Sequence, residues 1–181
     1  MRSRRLKVLL LAVLILVAGV AVLLLAAKPY MVPTDSMRPT LLTGDYVFVT
    51  NSPGKLQHGD IAWFRPPAGP NSGDVFVKRI IGIPGDRIRI TAGAVDRNGQ
   101  RLAEPYAVYD PIRHNPSAEN TETAVPPNNY YVLGDNRENS MDSRNFGCVP
   151  AENFIGKPLF RYWSVDEARK TRWNRTLRVV R

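Results

Sequence analysis

Val8 to Ala27 is an unbroken run of twenty residues without a charged or polar side chain. As a helix it would be about 30 Å long, the thickness of a bilayer's hydrocarbon core. The spacing predicts a transmembrane helix over 8–27. Arg2, Arg4, Arg5 and Lys7 precede it, so residues 1–7 are a basic, cytoplasmic N-terminus by the positive-inside rule. Residues 28–181 then lie outside the cytoplasm, and the chain is expected in the cell (inner, cytoplasmic) membrane as a single-pass protein. A cleavable signal peptide is the rival reading. Its apolar core usually runs about 7–15 residues, and the exit Leu24-Leu25-Ala26-Ala27-Lys28-Pro29 lacks a clean small-x-small site.

The 181 residues suffice for one domain of ordinary size. Fifteen prolines and thirteen glycines argue against a helical bundle and suit short strands joined by many turns. The net charge of +9 sits at the ends: four cations precede the apolar run, and six without an acid occupy 169–181. Between them fifteen basic residues face sixteen acidic ones, which leaves no basic face for nucleic acid. The basic ends are either solvated or in contact with anionic lipid head groups. One cysteine excludes an intramolecular disulfide and a Cys-based zinc site. His58 and His114 lack metal-ligand spacing, so neither metal nor cofactor is expected.

Tyr46 to Val49, Asp60 to Phe64, Val75 to Ile83, Arg87 to Ile90, Tyr130 to Leu133 and Phe154 to Trp163 read as strands. Residues 91–128 are polar and rich in Pro and Asn, a short exposed excursion. The fold class is mostly β, an irregular β-barrel or sandwich behind one N-terminal transmembrane helix.

Three segments could carry chemistry. Val75-Phe76-Val77-Lys78-Arg79-Ile80-Ile81 places a lysine in an apolar strand. Covered on both faces, such a lysine loses its proton readily and becomes a general base; on an edge strand it would stay a solvated cation. Pro33-Thr34-Asp35-Ser36-Met37-Arg38-Pro39-Thr40 sets a serine between two prolines, as a turn residue or a nucleophile. Gly134 to Gly147 is long and polar, a solvated loop or a hydrogen-bonded scaffold.

Together the segments resemble type I signal peptidases, membrane-bound serine proteases with a Ser/Lys dyad of the bacterial and organellar type. The resemblance rests on Ser36-Met37-x-Pro39-Thr40-Leu41 with Gly44-Asp45, on Gly59-Asp60-Ile61-x-x-Phe64, and on Lys78-Arg79-Ile80-x-Gly82-x-Pro84-Gly85-Asp86. Its fourth part is Gly134-Asp135-Asn136-Arg137-x-Asn139-Ser140-x-Asp142-Ser143-Arg144-x-x-Gly147. The family pattern implies Ser36 as nucleophile and Lys78 as general base. It implies an oxyanion hole from the Ser36 N–H and the Thr34 hydroxyl. Ser140 would orient the lysine, and Asp142 and Arg144 would brace the site as an ion pair. The pockets for small substrate residues would be lined around Val32, Pro33, Met37, Leu41, Phe76 and Val77. The implied activity is removal of signal peptides from exported pre-proteins after small residues, by a monomer working at membrane lipid.

Two residues depart from the pattern: Thr34 stands where many relatives have serine, and Asp35 where glycine is common. In an extended segment Asp35 would face away from Ser36, into solvent; near Lys78 it would raise the lysine's pKa. Cys148 reads as a buried small hydrophobe. The alternatives are a dedicated maturation peptidase of a conjugation or secretion system and a catalytically inactive, membrane-tethered β-module.

Overall fold

The computed structural model describes residues 7–8, 10–15, 17–19, 26–67, 74–91, 93–109 and 122–180. Of the predicted span, residues 8, 10–15, 17–19 and Ala26 are helical, and the other positions before Ala27 lie outside the described residues, as do Arg2, Arg4, Arg5 and His114. Among the described residues no helix is long and apolar enough to cross a membrane. Ala27 is not helical. It opens the first strand.

Strands pair antiparallel throughout the described chain. The first sheet runs β1 (Ala27–Met31), β2 (Asp45–Thr50), β12 (Pro158–Ser164), β13 (Arg178–Val179). The second runs β10 (Val149–Pro150), β9 (Asn129–Leu133), β4 (Phe76–Gly82), β3 (Ile61–Phe64), β11 (Phe154–Gly156). The third runs β7 (Gln100–Arg101), β6 (Ala94–Arg97), β5 (Arg87–Thr91), β8 (Glu122–Ala124). The architecture is mostly β, as expected, but the sheets are open and do not close into a barrel.

β2 alternates buried and half-buried residues, the pattern of a strand with one covered face. β4 is buried along nearly its whole length, because it is central and covered on both faces. Val47 and Val49 of β2 share one apolar layer with Ile61, Trp63 and Val77 of the second sheet. Phe64, Ile80 and Val132 fill the second sheet's other side, and Ile88, Ile90 and Val95 seal the third sheet onto Ile81 and Leu133.

Three expectations need correction. The helix expected over 8–27 does not reach Ala27, which opens β1, and β1 pairs with β2 through Pro29↔Phe48. β1 is an edge strand, so a residue without an N–H is tolerated there. The excursion over 91–128 is not merely exposed: Val95 and Val125 are buried core residues, although 110–121 lie outside the described residues. The basic C-terminus is not a free tail. Arg172 Nη1 donates to the Thr43 carbonyl at 3.0 Å, and Arg175 Nη2 donates to Asp45 at 2.8 Å and to the Thr40 carbonyl at 3.1 Å. Trp173 stacks edge-on against Trp163, with ring centroids 5.7 Å apart.

Candidate active site

Because β4 lies between β3 and β9, its two adjacent cations cannot both reach water, which excludes the edge-strand alternative. Consecutive residues point to opposite faces. Lys78 and Arg79 are each 4% exposed, and each meets a different partner. Lys78 Nζ lies 2.6 Å from Ser36 Oγ and 5.5 Å from the centroid of the Phe76 ring. Burial pushes the Lys78 ammonium down from its ordinary 10.5 to about 8; Asp142 and Asp135 pull it back up, and Arg144 pushes it down. Arg79 makes a bidentate pair with Asp135, at 2.8 and 2.7 Å, and stacks 4.0 Å from the Tyr106 ring centroid. Thr40 Oγ1 also donates to Asp135, at 2.5 Å.

Ser36 sits in a 3₁₀ turn, Asp35–Met37, entered through the extended Thr34. Met37 and Leu41 are fully buried behind it, so the turn is nailed to the core. On the outer side the Asn136 backbone donates to the Ser36 carbonyl at 3.0 Å. Thr34 Oγ1 donates to Ser36 Oγ at 3.3 Å. Asp35 is half-buried. The 3₁₀ turn swings its carboxylate to Thr43, whose N–H and hydroxyl donate at 3.2 and 2.9 Å.

The polar Gly134–Gly147 segment is a scaffold. Asp142, fully buried, accepts from the Gly134 N–H at 3.0 Å and pairs with Arg144 Nε at 2.8 Å, the expected ion pair. It also caps the helix α1 (Ser143–Phe146), while the Asn145 side chain accepts from the Asp142 N–H. Ser143 Oγ accepts from the Val132 N–H at 2.9 Å, which ties this cap to β9. Gly134 leaves no room for a side chain unless a neighbour shifts. An added Cβ would overlap Ser140 Oγ and the Ser36 carbonyl.

Ser140 departs from expectation. It lines the same cavity as Lys78, but its buried hydroxyl bonds neither Lys78 nor any other described group. The cavity, about 630 Å³, is lined by Thr34, Ser36 and Lys78 together with Pro33, Phe76 and Val77 of the expected pocket residues. Val32, Met37 and Leu41 do not line it; they are core residues on the far side of the turn. Asp74, Val75, Asn139 and Met141 line it and were not anticipated, although all four flank the residues singled out in the sequence. His58 pairs with Asp86 at 2.6 Å, away from the cavity lining. Cys148 is half-buried against the third sheet's core, less enclosed than expected. Among the described residues no group of His, Cys, Asp and Glu could hold a metal ion.

A buried amine against a hydroxyl, opening on an apolar groove, can deliver acyl transfer. Residues 4–163 match the family described as signal peptidase, peptidase S26. A Synechocystis sp. protein named probable signal peptidase I-1 is 39% identical over 161 residues, 83% of this chain and 80% of that one. Signal peptidase IB of Staphylococcus aureus is 35% identical over 156 residues, 77% of this chain and 79% of that one. The crystal structure of a signal peptidase I from Enterococcus faecalis is 33% identical, with a TM-score of 0.47, covering 59% of this chain and 98% of that one. By a family match over most of its length and relatives aligned over most of theirs, the chain belongs to the signal peptidase family, peptidase S26.

Proposed function

We propose that the chain is a membrane-anchored serine endopeptidase that removes signal peptides from exported pre-proteins, with Ser36 as nucleophile and Lys78 as general base. The observation that carries the reading is the 2.6 Å approach of Lys78 Nζ to Ser36 Oγ in a nearly dry site. Neutral Lys78 accepts the Ser36 hydroxyl proton as the oxygen attacks the scissile carbonyl. The Ser36 N–H and the Thr34 hydroxyl receive the developing oxyanion, where one lost donor typically costs about 2.7–4 kcal/mol. The Lys78 ammonium returns the proton to the leaving amine, and water then hydrolyses the acyl-enzyme by the same route. The pairs Asp142–Arg144 and Asp135–Arg79 hold the two loops around the dyad. Pro33, Phe76 and Val77 form the apolar groove that receives small substrate side chains.

The anchor belongs to this proposal. Val8, Leu10, Leu11, Val13, Leu14, Ile15 and Val17 are helical and 49 to 64% exposed, an apolar surface suited to lipid rather than water. Residues 28–181 then stand outside the cytoplasm. Trp173 and Leu177, 73 and 74% exposed, extend the contact to the bilayer surface from the sheet that begins where the helical run ends. The substrate's own apolar segment remains in the bilayer, and anchoring both chains there raises the chance of encounter.

The test is turnover of one purified pre-protein. Ser36→Ala and Lys78→Ala should each lower cleavage by several orders of magnitude while leaving the far-UV circular dichroism of the wild type. Near-normal turnover by folded Lys78→Ala would refute the dyad.

A further inference from the structure

Among the described residues, three arginine–carboxylate pairs draw a partner from the Gly134–Gly147 segment. In two of them both partners come from the motif segments: Arg79 with Asp135 and Arg144 with Asp142. The third is different. Arg137 belongs to the Gly134–Gly147 segment, but its acid is Glu104, far off in the chain between β7 and β8. The two side chains are 2 and 4% exposed, and the pair is bidentate, at 2.6 and 2.9 Å. Tyr106 and Tyr109 hydroxyls donate to the same carboxylate at 3.0 and 3.1 Å. With the other two acids committed to their own arginines, Glu104 is the carboxylate that compensates the buried Arg137 charge.

The pair ties two backbones together. Val108 donates its N–H to the Asp135 carbonyl at 2.8 Å, and Arg137 donates its N–H to the Val108 carbonyl at 3.0 Å. Asn136, held between these two bonds, donates its backbone N–H to the Ser36 carbonyl at 3.0 Å. Its side-chain amide donates to the Asp35 carbonyl at 3.2 Å. A continuous set of contacts therefore leads from Glu104 to the peptide that carries the Ser36 hydroxyl.

We propose that Glu104 is a positioning residue for the nucleophile, acting through Arg137 and Asn136. It touches neither the dyad nor the cavity lining. It holds the Asn136 amides where they fix the 3₁₀ turn, and the turn sets both the Ser36 Oγ approach to Lys78 and the direction of the Ser36 N–H. Both matter most as the carbonyl becomes tetrahedral. The groove walls on β4 and Pro33 are supported separately, by the second sheet and the core. Loss of Glu104 should therefore lower kcat and leave KM nearly unchanged.

The inference rests on the proposed function, and the same assay separates the two. Wild-type cleavage and its loss in Ser36→Ala report on the dyad; the Glu104 variants are read against the wild type. In full-length protein in detergent, Glu104→Gln keeps the side chain's shape and removes its charge. It should lower kcat about tenfold or more, with KM within about threefold, because small misplacements of reacting groups cost rate steeply. Asn136→Ala should lower kcat alike, and the double variant should be no slower than the slower single variant beyond about twofold. A purely structural role for Glu104 would not produce that non-additivity. An unchanged kcat in folded Glu104→Gln, a KM rise matching the loss, or fully multiplicative losses would each overturn the proposal. If Glu104→Gln does not fold, Tyr109→Phe decides. It removes one donor to Glu104 and one acceptor from Arg137. It should lower kcat about threefold and add nothing to Asn136→Ala; wild-type kcat would overturn the proposal.

Discussion

Replacing Lys78 by methionine should abolish cleavage and yet make the protein more stable at neutral pH. Methionine has nearly the volume and reach of lysine, so the 4% exposed site can take it without a cavity. The drop of the Lys78 ammonium from 10.5 to about 8 corresponds, at about 1.4 kcal/mol per pH unit, to about 3 kcal/mol of folding free energy spent on keeping it charged. Losing the contact with Ser36 returns about 1 kcal/mol. The carboxylates of Asp142 and Asp135 keep their own arginines, so no new buried charge is left alone. The expected net gain is about 2 kcal/mol, a Tm rise of about 4–8 °C for a chain of this size. The pH dependence follows from the sign. Between about 8 and 10.5 the unfolded chain binds a proton that the native protein does not, so wild-type stability rises with pH there and the variant's does not. The advantage is thus full below pH 8 and closes by about pH 10.5. Urea unfolding of both forms in detergent at pH 6, 8 and 10 measures it. A wild type more stable than Lys78→Met at pH 6, or a gap that stays constant to pH 10, would refute the desolvation argument.

The same group sets the rate profile. kcat/KM on one peptide should rise with pH through an apparent pKa near 8, where Lys78 becomes neutral. Asp35→Gly should leave that limb in place, because the carboxylate serves Thr43; the expected loss is about 1–2 kcal/mol of stability, read by thermal melting. Burial alone would raise the Asp45 carboxyl, but hydrogen bonds from Arg175, Leu42 and Ser164 and the Arg161 charge hold it below the usual carboxylate range. Its contribution is present above pH 4 and lost as pH falls through that lowered value. Asp45→Asn should cost about 3–5 kcal/mol by stranding the Arg161 and Arg175 charges, which urea unfolding at pH 7 would measure. Gly134→Ala should lower kcat at least tenfold in a folded protein, since the new methyl must displace either Ser140 or the Ser36 carbonyl.

Local pattern determined a good deal. Twenty apolar residues flanked by cations are legible without any tertiary contact, and those described before Ala27 are helical. β-forming residues announced β2, and a near-continuous apolar run announced β4. Four ordered motifs named Ser36, Lys78, Asp142 and Arg144. What sequence left open was every question of face and partner. Val32, Met37 and Leu41 lie within five residues of Ser36 in the chain, yet they fold into the core while Pro33 and Thr34 meet the cavity. A one-residue change of direction is invisible to composition. Asp35 turned to Thr43 for the same reason. The arginines near the C-terminus read as a solvated or lipid-facing tail, since nothing local shows that Asp45 waits for Arg175 130 residues upstream. Glu104 carries no local sign at all. The dryness of Lys78 was the decisive unknown: an apolar strand with two cations fits an edge as well as a centre. Only the pairing of β3 and β9 on its two sides removed the water, and a lysine's proton affinity depends on that water rather than on its neighbours in sequence.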